Sequence, residues 1–119
     1  ISWYKKAVKA ASNNIDEASD EIINEVAWIL ATTSKESLKR ARYALRIIDK
    51  RMQDSSLARE KPEFLDTWAA ALAANGQFEK AIEVQNRAIS KATEQDRDDV
   101  LQILEKHLKS FKLNQPITE

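Results

Sequence analysis

Residues 62–93 read PEFLDTWAAALAANGQFEKAIEVQNRAISKAT, and the reading of this stretch decides the fold. Pro62 suits a first helical position, where its missing N–H has no partner to lose. Phe64, Leu65, Trp68, Ala69 and Leu72 then recur on one helical face. Gly76, the only glycine of the chain, can take the left-handed conformation that closes a helix at low cost. Phe78, Ala81, Ile82, Ala88, Ile89 and Ala92 form the stripe of a second helix. Small residues at Ala69 and Ala81 let the two backbones approach closely. The stretch is a packing unit of two helices and carries no reacting group.

Outward from this unit the pattern stays helical. Toward the N-terminus, Leu38, Ala41, Ala44, Leu45, Ile48 and Met52 make a buried stripe. Thr33-Ser-Lys-Glu36 has the form of a capping box and is expected to open that helix. Before it, Ile22, Ile23, Val26, Ala27, Trp28, Ile29 and Leu30 predict a helix from about residue 19 to Thr32, covered on more than one side. Asp16 or Ser19 is its expected cap. Residues 1–13 place Tyr4, Ala7, Val8 and Ala11 on one face of a short amphipathic helix. On the other side, Val100, Leu101, Leu104, Leu108 and Phe111 define a last helix that stops near Asn114-Gln115-Pro116. Six helices with short polar connections, QDSSLAREK at 53–61 among them, and no strand pattern give an all-α protein.

Composition agrees, with 43% hydrophobic and 32% charged residues, one Gly and two Pro in 119 residues. That length suits a single domain, 1–119. Nineteen Lys and Arg balance nineteen Asp and Glu, so no net field favours nucleic acid or an anionic membrane. The lack of cysteine excludes disulfides and thiolate metal sites and leaves the compartment open. Apolar runs such as VAWILA at 26–31 fall far short of the ~20 residues of a membrane span. The opening ISWYKKAVKA has charges from Lys5 onward, unlike a secretory signal, and no initiator Met. The expectation is a processed chain or an excised piece, the C-terminal part of a longer array or multidomain protein.

Internal similarity supports a repeat. Ala27 corresponds to Ala69 at a spacing of 69 − 27 = 42, and Ala44 to Ala81 at 81 − 44 = 37. Both exceed the tetratricopeptide period of about 34, with the excess in connectors. The series Leu65–Trp68–Ala69–Leu72–Gly76–Phe78–Ala81–Ala88 nonetheless closely resembles the tetratricopeptide repeat (TPR). On that resemblance 62–93 is an intact repeat and 19–53 a degenerate one, with Arg51 where a small residue is usual. Residues 1–13 then form a partial repeat helix, and 96–113 a capping helix. AWILAT, FLDTWAAALAANGQFEKA and a final helix ending in Phe111 and Pro116 resemble in order the C-terminal end of bacterial TPR arrays. The family implies a right-handed solenoid of antiparallel helix pairs, its first helices lining a concave groove and a last helix closing the core.

Candidates for chemistry are few. His107, the single histidine, stands beside Leu104, Leu108 and Phe111 and reads as a boundary residue of the cap. No nucleophile with an orienting partner is visible, so no catalytic residue is assigned. One histidine and no cysteine give no metal site. Asp16, Glu17, Asp20, Glu21 and Glu25 lack a calcium-loop pattern and suit a helix N-terminus. One glycine cannot build a phosphate loop, and no cofactor is implied. Lys39, Arg40, Arg42, Arg46, Lys50 and Arg51 are the best nucleic-acid candidate, but without interleaved aromatics they read as a solvated helix face.

The resemblance places Asn24 and Trp28 on the groove side, with Asp66, Ala70 and Ala73 opposite. One reading makes these five residues a peptide groove with an aromatic anchor. The other, slightly favoured, packs Trp28 between the two helices over the small Ala70, its indole N–H on Asp66. With Asp66 and alanines in the groove, a basic or apolar segment is the expected ligand rather than an acidic tail. The expected function is therefore a non-catalytic protein–protein interaction or scaffold module binding a peptide or protein. The alternative is a structural C-terminal cap with no ligand of its own. In that case the helix over 1–13, with its Trp3, Tyr4 and Val8 edge, would mediate self-association. Nucleic acid and membrane insertion are not expected.

Overall fold

The computed structural model describes residues 18–36 and 39–119. The helix expected over 1–13, Asp16 and Glu17 and the start of the stripe at Leu38 lie outside these residues. Among the described residues every regular element is a helix: α1 (Asp20–Thr32), α2 (Ala41–Asp54), α3 (Ser56–Arg59), α4 (Pro62–Ala74), α5 (Phe78–Glu94) and α6 (Asp98–Lys112).

Helix ends follow from local chemistry. Ser19 caps α1, its side chain accepting from the Ile22 N–H, with Asp20 and Glu21 in the positive first turn. Pro62 sits in the first turn of α4. Three helices close with a residue in the left-handed region: Gly76 at φ 78°, Asp96 at 54° and Asn114 at 56°. After α4 the Gln77 N–H donates to the Leu72 carbonyl and the Gly76 N–H to Ala73, the paired bonds of a Schellman ending. The same pairs recur at Arg97 with Ala92 and Asp96 with Thr93, and at Gln115 with Ser110 and Asn114 with Phe111. Asp and Asn tolerate this conformation better than most side chains, which lets one glycine serve a chain of several helices.

The start of α2 corrects the sequence reading. It begins at Ala41 after Arg40, with no side-chain cap, rather than at the capping box of residues 33–36. Thr33 instead ends α1, donating its N–H to the Ile29 carbonyl, and its hydroxyl accepts from Lys35 N–H. The chain then turns back so that Arg40 N–H reaches the Leu30 carbonyl. The connection over 53–61 also contains α3, opened by Ser55, whose hydroxyl accepts from the Ala58 N–H.

Long-range bonds give the helix directions. Asp20 at the start of α1 meets Arg51 near the end of α2, so these two run antiparallel. Glu60 just before α4 meets Lys91 near the end of α5, so α4 and α5 do the same. Lys61 reaches Glu21, and Arg97 reaches Glu63, which aligns the N-terminal ends of α1, α4 and α6. These three helices are therefore parallel. α1 packs on α2 and α4, α2 on α4, α4 on α5 and α6, and α5 on α6. The antiparallel pairs α1/α2 and α4/α5 thus pack against each other, and α6 packs on α4 and α5. Ala27, Ala44, Ala69 and Ala81, the residues matched by internal similarity, are all fully buried. Ile23, Leu30, Ile48, Met52, Leu65, Leu72, Leu104 and Phe111 fill the space between.

Arg51, at the position expected to be small, is accommodated by reaching out of the core. Its guanidinium donates to Asp20 Oδ1 at 2.9 Å and to the Ala18 carbonyl at 2.8 Å, and Asp20 also accepts from Ser55. The guanidinium beside Asp20 holds that carboxyl below its ordinary range, against the opposing pull of burial.

Candidate functional site

Three helix faces converge where α1, α4 and α6 lie side by side. Asp66, on α4, sits between Gln85 from α5 and His107 from α6. His107 Nδ1 lies 2.9 Å from Asp66 Oδ1 and 3.2 Å from Oδ2, and Gln85 Nε2 donates to the same Oδ1 at 2.9 Å. Gln85 Nε2 also donates to the Leu104 carbonyl at 2.9 Å, so both of its amide protons are used. Its Oε1 is buried with no protein partner. An imidazole nitrogen facing a carboxylate carries the shared proton, which sets His107 with Nδ1 toward Asp66. The cluster is nearly dry, with side-chain exposures of 12% for Asp66 and 8% for His107.

Trp28, on α1, covers the other side of the imidazole. The ring centroids of Trp28 and His107 are 5.5 Å apart and tilted by 35°. The contact joins α1 to α6. The Trp28 indole N–H donates at 3.1 Å to the Glu119 carboxylate. Glu119 is held by its backbone as well: its N–H donates to the Thr32 carbonyl at 2.7 Å, and its carbonyl accepts from Ser34 N–H at 2.8 Å. The two bonds flank Thr33, whose backbone is extended at φ −61° and ψ 138°. They are the pair that one step of a parallel ladder would use. Ile117 is partly buried against the core, while the residues around it are exposed.

The five sequence-predicted residues thus meet different fates. Trp28 and Asp66 do lie in one layer, but joined through His107 rather than directly, and the indole N–H is taken by Glu119 instead of Asp66. Ala70 and Ala73 are 1% and 2% exposed, so they are covered rather than presented as a groove wall. Asn24 is partly exposed, with its Oδ1 buried and unpartnered. His107, expected at the boundary of the last helix, is buried and paired. Trp68, expected in the core, is partly buried against it, with the Arg87 guanidinium 5.8 Å from its ring centre.

Sequence reasoning missed Gln85 and the pairing of His107. Both stand on apolar stripes, Gln85 between Ala81 and Ala88 and His107 between Leu104 and Phe111, and a polar residue on a stripe is a signal for a buried partner. Glu119 carried no such signal.

A second concavity, of about 540 Å³, lies between α1 and α2 and is lined by Asp20, Ile23, Arg46, Ile47, Lys50, Arg51, Asp54 and Ser55. Its charges are mixed, and Arg51 is bound to Asp20 and Ala18. Arg42, Arg46 and Lys50 of the basic face are exposed. Among the described residues no three metal-ligating side chains cluster, and no helix is long and apolar enough to cross a membrane. No protein-family model, curated protein or solved structure matches the chain.

Proposed function

We propose that this chain is a non-catalytic interaction module of TPR type that binds a peptide or partner protein on the face shared by α1, α4 and α6. The parallel alignment of these three helices, with α2 and α5 packed behind, carries the reading. A first helix of each pair on one side, a second on the other and a final helix over the open end is the arrangement a TPR array would have. Internal similarity adds to it, since the matched alanines Ala27 and Ala69, Ala44 and Ala81 are all fully buried. The Asp66–His107 pair serves as a rigid floor in this reading. Its imidazole is wedged between Asp66 and the Trp28 ring, a place suited to holding Trp28 as an anchor.

The test is capture of partners from cell extract by the whole chain and by Trp28→Ala, with folding of the variant checked by circular dichroism. Loss of a captured partner on substitution supports the reading, and an unchanged set of partners eliminates this face.

A structural cap with no ligand of its own is the second reading. The filled layer of Trp28, His107 and Asp66 favours it, because an unliganded groove of the open kind would leave those side chains wet. Equal capture by the chain and by bare resin supports the cap.

A further inference from the structure

α6 is already closed by the Schellman bonds of Asn114 and Gln115, so residues 116–119 are not needed to finish it. They nevertheless return to the end of α1 and make four kinds of contact there. Ile117 packs against the core, the Glu119 N–H and carbonyl bracket Thr33, and the Glu119 carboxylate takes the Trp28 indole proton. Backbone bonds of this type read an extended chain without regard to its sequence. A half-buried indole N–H selects an acceptor, and a carboxylate is the strongest one a peptide offers. An apolar contact two positions earlier sets the register.

We propose that residues 116–119 are an intramolecular stand-in for the partner, and that the surface from Trp28 to Ser34 takes an extended peptide with an apolar residue two positions before an acidic one. This rests on the reading of the α1–α4–α6 face as a binding surface and names the chemistry of what binds. It departs from the sequence-based expectation of a basic or apolar ligand, because the group on Trp28 is acidic. The tail is suited to leaving. All of its residues except Ile117 are exposed, and its bonds lie at the surface, which is where segments open locally at low free energy. While docked it competes with any incoming peptide at an effective concentration in the millimolar range.

The experiment uses the isotope-labelled whole chain, wild type and an Ile117→Ser/Glu119→Gln double variant. Both are titrated with the hexapeptide Asn-Gln-Pro-Ile-Thr-Glu, the sequence of residues 114–119. The Trp28 indole N–H, assigned with a Trp28→Phe variant, and the Ser34 amide are followed by NMR. Release of the tail shifts both signals in the double variant, and the peptide restores them. Its saturation midpoint is at least about tenfold lower than for the wild type, where displacement is followed by the amide of the labelled chain's own Glu119, because the internal competitor is gone. A peptide with Lys in place of the final Glu does not restore them.

Equal midpoints for the two proteins, or equal binding of the Glu and Lys peptides, overturn the proposal. So does sedimentation of the wild type as a dimer that the double variant does not form, which would place the tail on a second copy. The two readings fail separately. Partner capture that depends on Trp28 but ignores the tail leaves the module standing without the stand-in. A competing tail in a chain whose released variant captures no partner leaves the stand-in without the module.

Discussion

His107 Nδ1 lies 2.9 Å from Asp66 Oδ1, and these two residues, 41 apart in the chain, tie α6 to α4 in a nearly water-free layer. Removing one partner strands the other. Leaving a buried donor or acceptor without its partner costs about 1–3 kcal/mol, and more where the stranded group is an ion, whereas replacing both partners together costs less. Asp66→Ala is therefore expected to lower urea stability by about 3 kcal/mol, since it also takes one of the two acceptors from Gln85 Nε2. His107→Ala is expected to cost a similar amount. The double variant should fall short of the sum by about 1 kcal/mol or more. Additive losses in the cycle would show that the two side chains do not act as a pair.

Asp20 gives the chain an acid-sensitive clasp. The Arg51 hydrogen bond, helped by Ser55, holds its carboxyl below the ordinary value of 3.8 in the folded state. A depressed native value stabilises the fold above the unfolded value and loses that contribution as pH falls through the native one. The stability difference between wild type and Asp20→Asn is thus present at neutral pH and shrinks as pH falls below the ordinary carboxyl value and through the lower native one. Urea midpoints measured between pH 7 and 2 check this. A difference that stays constant across the range would rule out the clasp.

Gly76 tests backbone strain without steric interference. It sits at φ 78°, and a Cβ built there meets nothing within 4 Å. Gly76→Ala should therefore cost about 1 kcal/mol, the penalty of a left-handed alanine, and Gly76→Asn noticeably less. For a domain of this size the alanine shift corresponds to a few degrees in Tm. Scanning calorimetry of the two variants decides the matter, and equal losses would point away from backbone conformation.

Ala69 and Ala81 are fully buried where α4 packs on α5. Each is expected to reject a larger side chain, with Ala69→Leu losing about 1–3 kcal/mol or more by overpacking. Leu72→Ala on the same helix makes the opposite change, a cavity, at about 2–5 kcal/mol. Urea unfolding of both variants shows whether the α4–α5 contact is as tight as the small residues imply. A neutral Ala69→Leu would mean that space is available there.

Much of the helical frame could be read from the chain. The apolar period placed α4, α5 and α6, and Pro62 and Gly76 marked two of their ends. These are local properties, because helix periodicity, capping and turn conformation act within a few residues of one another. Where two local signals competed, local reading failed. Thr33 matched a capping box, yet its N–H was claimed by the end of α1, and α2 began at Ala41.

The site belongs to tertiary structure. Asp66 and His107 pair across 41 residues, Arg51 and Asp20 across 31, and Trp28 and Glu119 across 91. No local pattern encodes such pairings, since a polar side chain on a helix is satisfied by whatever donor or acceptor the packing brings near. By itself the sequence determined an all-helical chain, which faces of its helices are apolar and where small residues permit close crossing. Only the tertiary structure decided that α1, α4 and α6 align in parallel. That alignment brings a carboxylate, an imidazole and an indole into one layer, where burial compels each polar group to find a partner.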